Sequence, residues 1–182
     1  MIEVERRTNF MFDMPDDARL IGVGRIHDTY RTISLHIERV RQVTSNGSTK
    51  LLRTYKYCSG IGLTENETEI SQDEYDGFIK GIRDPIVVSG NRKQYSVERE
   101  PFTGLIICDD EIDQLGHWRE IEALAADRMN VNYWMHKINK AAQSLGIPWN
   151  KLTKTLYVEM VAKLPSASLS CPGNMALYQH LA

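Results

Sequence analysis

The stretch Ile2-Glu3-Val4-Glu5-Arg6-Arg7 decides how the rest of the chain is read. Side chains alternate between the two faces of a strand, so Ile2 and Val4 share one face and Glu3, Glu5 and Arg7 the other. Trp118-Arg119-Glu120-Ile121-Glu122 repeats the device, with Glu120 and Glu122 opposite Ile121, and Glu67-Thr68-Glu69 again spaces two carboxylates by two. One such pair is an ordinary solvated strand face. Several on neighbouring strands repel unless cations stand between them. Cations are present: Arg39 and Arg41 share a face, Arg53 and Lys56 follow on the next segment, and Arg92 and Lys93 open a later strand. Two readings stay open. Both signs could bridge on the outside of a sheet, which stabilises little. Alternatively both point into one cavity, where arginines fork onto phosphate oxygens and carboxylates hold Mg²⁺ or Mn²⁺.

Around these strands the chain reads as α+β. Strand candidates are Ile2–Arg7, Thr32–Val43, Leu51–Tyr57, Glu67–Ser71, Ile86–Val88, Lys93–Val97, Leu105–Cys108 and Trp118–Leu124. Ser45-Asn46-Gly47-Ser48 is a hairpin turn, and Gly60 and Gly62 mark a looser break. Helices are expected from the capping box Ser71/Glu74, from Asn130 to a stop at Gly146, and from Thr153 to Leu164. Short strands joined by hairpins, with helices between or after them, imply an antiparallel architecture. Residues 1–164 form one domain. From Pro165 the periodicity is lost, and 165–182 is expected to be a weakly ordered tail.

Composition narrows the function classes. The 182 residues carry 42% apolar and 25% charged side chains and a net charge of −2. That balance opposes a general nucleic-acid grip. Cys58, Cys108 and Cys171 stand far apart, as reduced thiols in a cytoplasmic protein would. The charged N-terminus lacks a secretory apolar run, and no stretch is apolar enough to span a membrane. The five histidines show no metal-ligand spacing, and no Walker-type loop or nucleophile elbow is present.

In order along the chain, the charged motifs resemble the CYTH superfamily, the triphosphate tunnel metalloenzymes. Glu3-Val4-Glu5-Arg6-Arg7 is similar to its opening ExExK signature. Glu38-Arg39-Val40-Arg41 is similar to its R-x-R strand, Thr54-Tyr55-Lys56 to the strand with an inward lysine, and Glu67-Thr68-Glu69 to the central E-x-E. Glu98 to Gly104 resembles the acidic-x-x-F-x-G turn, with Glu100 in the acidic place, and Glu120-Ile121-Glu122 resembles the closing E-x-E. The ending Leu145-Gly146-Ile147 … Tyr157-Val158-Glu159-Met160 is similar to that of class IV adenylyl cyclase-like members.

The resemblance implies a closed antiparallel barrel of about eight strands with helices outside. It implies Mg²⁺ or Mn²⁺ at Glu3, Glu5, Glu120 and Glu122, and catalytic roles for Arg7 and Lys56. Substrate-binding roles fall to Arg39, Arg41, Arg53, Glu67, Glu69, Arg92 and Glu100. The partner is a triphosphate or nucleotide, with no nucleic acid or membrane, and a homodimer is one arrangement open to it. Three activities fit: triphosphate hydrolysis first, then nucleotide cyclisation, then nucleotide binding without turnover. Three positions depart from the pattern. Arg7 replaces a lysine, Glu65 stands at or near an arginine's place, and Gly90 falls where a lysine is usual.

Overall fold

A computed structural model describes residues 2–33, 36–58 and 63–164. The break at Gly60 and Gly62 and the tail 165–182, with Cys171 and His180, lie outside the described residues. Strands β1 (Ile2–Thr8), β2 (Arg19–Ile33), β3 (His36–Ser45), β4 (Ser48–Cys58) and β5 (Leu63–Glu69) precede helix α1 (Gln72–Lys80). Strands β6 (Ile86–Ser96), β7 (Ile106–Ile112) and β8 (Gly116–Ala125) follow, then α2 (Val131–Ser144) and α3 (Tyr157–Ala162). Among the described residues these eight strands close into an antiparallel barrel in the order β1-β5-β4-β3-β2-β6-β7-β8. No helix among them is long and apolar enough to cross a membrane.

The alternation read in β1 turns the barrel's apolar face outward. Val4, Ile107, Ile121 and Ala123 pack with Val131, Ile138, Ala141 and Ala142 of α2. Tyr75 and Phe78 of α1 cover Val40. Burying the Val, Ile and Phe side chains among these contributes about 1.5–3 kcal/mol each. The third helix does something different. Leu156, Tyr157, Val158 and Val161 pack with Ile26, Val88 and Ile112, which point inward, so α3 covers one end of the barrel.

Local signals account for several boundaries. Asn46 and Gly47 take φ of 50° and 76°, the two-residue loop that a Ser45–Ser48 hairpin needs. Ser71 caps α1 through the expected reciprocal pair with Glu74. Gly146, at φ 69°, follows the end of α2. Asn130 makes no side-chain cap. Asp127 instead accepts hydrogen bonds from the amides of Met129 and Asn130. Helix α3 starts later than expected because Thr153 exchanges backbone hydrogen bonds of 2.8 and 2.9 Å with Arg7.

The strands correct the sequence reading in three places. Residues 19–31, not expected as a strand, make up most of β2, the longest. The expected strand Thr32–Val43 divides between β2 and β3, which pair from Ile33↔His36. The expected Ile86–Val88 and Lys93–Val97 are one strand, β6, which runs through Ser89-Gly90-Asn91-Arg92 and ends at Ser96.

Candidate functional site

The inward rows of the strands meet in a cavity of about 630 Å³. Glu3, Arg7, Arg39, Arg41, Lys56, Glu65, Glu67, Arg92, Glu120 and Glu122 line it, with Leu156 and Tyr157 at the start of α3. Strand register explains the assembly. Arg7 stands opposite Glu120 and Glu5 opposite Glu122 on β1/β8, Arg41 opposite Asp28 on β3/β2, and Arg92 opposite Asp110 on β6/β7. The described residues thus set eight carboxylates (Glu3, Glu5, Asp28, Glu65, Glu67, Asp110, Glu120, Glu122) against five cations (Arg7, Arg39, Arg41, Lys56, Arg92).

Every one of these cations is paired. Arg41 forks onto Asp28 at 2.6 and 2.7 Å, and Arg92 forks onto Asp110 at 2.7 and 2.6 Å while also donating to Glu120 at 2.7 Å. Arg7 donates to Glu5 at 2.5 Å and to Glu120, and its guanidinium lies 5.0 Å from the centre of the Tyr157 ring. The Tyr157 hydroxyl in turn donates to Asp110 at 2.9 Å. Lys56 donates to Glu3, and Arg39 reaches Asp28, Glu65 and Glu67 at 3.4, 3.4 and 3.2 Å. Burial alone would strip protons from these cations, but the acids around them hold Arg7, Arg39, Lys56 and Arg92 protonated well above their usual range.

The carboxylates do not fare equally. Burial would raise Glu3, yet Lys56 pulls it down to about 2. Burial pushes Glu5 up to about 7 against the pull of Arg7, and Glu122 up to about 8 against that of Arg92. Oxygen atoms of Glu3, Glu5 and Glu122 lie within 4.8 Å of one another, and Glu5 Oε1 is buried without a hydrogen-bond partner. An orphaned buried oxygen beside two more carboxylates fits a hard divalent cation. Cys108, Glu120 and Glu122 also converge, but burial pushes the Cys108 thiol up and two arginines already hold Glu120.

No family model and no curated protein matches the chain, but solved structures do. The PH1819 protein from Pyrococcus horikoshii matches with a TM-score of 0.71 at 23% identity, over 87% of this chain and 97% of that one. A protein described as a candidate adenylate cyclase from Vibrio parahaemolyticus gives 0.66 at 16%, over 88% and 98%. HpAC1 from Hippeastrum, a candidate adenylyl cyclase described as having a dominant triphosphatase activity, gives 0.55 at 15%, over 92% and 98%. The chain has the CYTH-type barrel fold.

Three of the residues expected in the CYTH tunnel lie outside it. Arg53 points outward, donates to Glu38 and stacks on Tyr55 and Phe78. It is three residues from Lys56, and a strand cannot put both on one face. Glu69 keeps the inward parity of Glu67 but has left the cavity, 64% exposed and paired with Lys50. Glu100 pairs with Lys137 on the outside at 73% exposure. Glu5 is buried and paired with Arg7, which lines the cavity where Glu5 does not.

Asp28 and Asp110 complete the interior, and the sequence reading passed over both. Asp28 sits in the strand that went unread. Asp110 could have been found by running the alternation of Ile106 and Cys108 two residues further. The glycine at position 90 has a steric cause: a Cβ there would stand 2.4 Å from Glu111 O and 2.9 Å from Ile112 Cα. No lysine fits.

Proposed function

We propose that the chain hydrolyses a triphosphate inside the tunnel with the help of Mg²⁺ or Mn²⁺. One observation carries this reading: five cations, three of them buried, surround a cavity at whose wall three carboxylates converge, one with an orphaned oxygen. A polyanion alone would meet too many acids here, and a metal ion alone would meet too many cations. Together they suit the cavity. The likeness to HpAC1, whose described activity is triphosphatase, agrees with this reading.

Glu3, Glu5 and Glu122 would hold the ion, with Glu120 within reach. When bound, the ion would neutralise phosphate charge and polarise the oxygens it touches. With Glu3 and Glu5 holding the ion, Lys56 would lose its nearest acid and Arg7 one of its two. Those two, with Arg39, Arg41 and Arg92, then face the phosphate chain. Hydrolysis joins a water oxygen to the terminal phosphorus and breaks the bridging P–O bond, leaving its electron pair on the diphosphate. Arg7 and Arg92 offset the charge that builds there, so catalysis rests on positioning and electrostatics. Arg7 stays protonated throughout and acts as a charge, not as an acid or base. Asp28 and Asp110 fix the angles of Arg41 and Arg92 before substrate arrives.

The test is incubation of the purified chain with ATP and with tripolyphosphate, with Mn²⁺, with Mg²⁺ and with EDTA, and identification of products. Metal-dependent orthophosphate release is expected. Cyclic AMP with diphosphate would instead assign cyclisation, and tight nucleotide binding without product would assign a binding protein. Undiminished turnover in EDTA would overturn the metal's part.

A further inference from the structure

Glu65 stands where an anion would bind. One of its oxygens lies 3.4 Å from Arg39 Nη2, the other 3.6 Å from Lys56 Nζ, and its side chain is 13% exposed. A carboxylate bridging two cations at these distances resembles the contact a phosphate oxygen makes with the same groups. Asp28 and Asp110 differ from it in that each turns both oxygens onto a single guanidinium, that of Arg41 and of Arg92, and fixes its plane, although Asp28 also lies 3.4 Å from Arg39. Exposure then climbs along the inward row of β5, from 13% at Glu65 to 38% at Glu67 and 64% at Glu69, so this row leads out of the cavity.

We propose that Glu65 is a specificity-determining residue whose carboxylate fills an anion position between Arg39 and Lys56, so that the tunnel favours organic triphosphate esters over inorganic tripolyphosphate. The inference rests on the triphosphate reading of the site. An inorganic chain is charged at both ends and carries no hydroxyl or amine donors for an acidic row. Whichever end lies by β5 meets Glu65 and Glu67 as like charges. An ester replaces one charged end with a neutral organic group. Its hydroxyls or amines can donate to those carboxylates, which accept only. Arg39 and Lys56, already neutralised in part, then serve the ester end without a full phosphate between them.

Binding separates this from the catalytic reading. The probes are the β,γ-imido analogue of ATP and imidotriphosphate, titrated with Mn²⁺ into the full chain, into Glu65→Gln and into Glu69→Gln. The unaltered protein should bind the nucleotide analogue at least about tenfold more tightly. Glu65→Gln should tighten imidotriphosphate about tenfold, the worth of one charge-assisted contact regained, and change the nucleotide analogue less than about threefold. Glu69→Gln, outside the cavity, should leave both unchanged. A thermal melt of each protein shows that the fold is kept, and Glu65→Ala repeats the test without the amide. Preference of the unaltered chain for imidotriphosphate overturns the inference, as does equal weakening of both ligands by Glu65→Gln. The predicted ratios without any turnover of ATP or tripolyphosphate would leave the inference standing and remove the catalytic reading. Binding of neither probe by any of the proteins overturns both.

Discussion

The two faces of the barrel wall follow opposite rules. Outside, Val4, Ile107 and Ile121 pack against α2 with no polar group to satisfy. Inside, the same strands direct Glu3, Asp110 and Glu120 inward, with Asp110 and Glu120 buried. Apolar packing is favourable in proportion to the area it covers. A buried ion pair repays little more than the cost of desolvating it, while breaking one strands a charge. The outer face therefore holds the fold together, and the inner face is carried by it. A barrel with only its inner face would not be expected to close.

The largest effect on stability should come from the outside. Ile138→Ala, at a fully buried position on α2, should cost roughly 2–5 kcal/mol in denaturant titration and leave turnover per folded molecule unchanged. If activity fell with stability unchanged, the two faces would not divide their work as described.

The inner face should show the reverse. Glu5→Gln removes a ligand charge without changing shape, so metal-dependent turnover should fall at least about a hundredfold, an effect comparable to losing one preorganised charge contact in a closed site. Stability should move by less than about 1 kcal/mol, since the amide can still accept from Arg7. A fully active Glu5→Gln protein would contradict the assignment of the ion to Glu3, Glu5 and Glu122.

This division also decides what could be read from the sequence. Strand β1 was legible because its outer residues are apolar and its inner ones charged, a clean alternation. Strand β2 was not: Gly22, Gly24 and Asp28 occupy its inner row, so it lacks the apolar period that marks a strand. Gly90 split β6 for the same reason, although close approach of β7 is what requires it. Eight candidate segments matched the eight strands only because one missed strand offset one divided strand. Glu65 and Glu67 show a further limit. Alternation tells that they share a face, but only the register with Lys56 and Thr54 tells which cations they meet.

A smaller effect tests how the inner acids are held. A carboxyl whose pKa rises on folding stabilises the fold below its unfolded value of 4.5, and that contribution is lost as pH climbs through the folded value, about 7 for Glu5 and about 8 for Glu122. The metal-free chain should thus lose this part of its stability between those limits. Apparent Mn²⁺ affinity should rise at least about tenfold from pH 6 to pH 8, with protons released on binding, because the ion competes with protons for the same oxygens. Calorimetry in buffers of different ionisation enthalpy reads both. Affinity independent of pH would mean that Glu5 and Glu122 are not ligands.

The smallest effect is expected at Arg7. A lysine there keeps the charge but cannot span Glu5 and Glu120 while stacking on Tyr157. Turnover by Arg7→Lys should fall by about tenfold or less, one misaligned charge contact, with the Michaelis constant changed less than about threefold. A change confined to the Michaelis constant would make position 7 a phosphate clamp alone.

The most direct measurement is a crystal of the chain grown with Mn²⁺ and imidotriphosphate, with the metal located by its anomalous scattering. The manganese peak should lie inside the barrel in coordinating contact with Glu3, Glu5 or Glu122 and with a phosphate oxygen, and Lys56 or Arg7 should have moved from its carboxylate to the phosphates. Manganese and phosphates found only on the outer surface, with all five interior cations still paired to their acids, would contradict the reading of the tunnel as a metal-assisted triphosphate site.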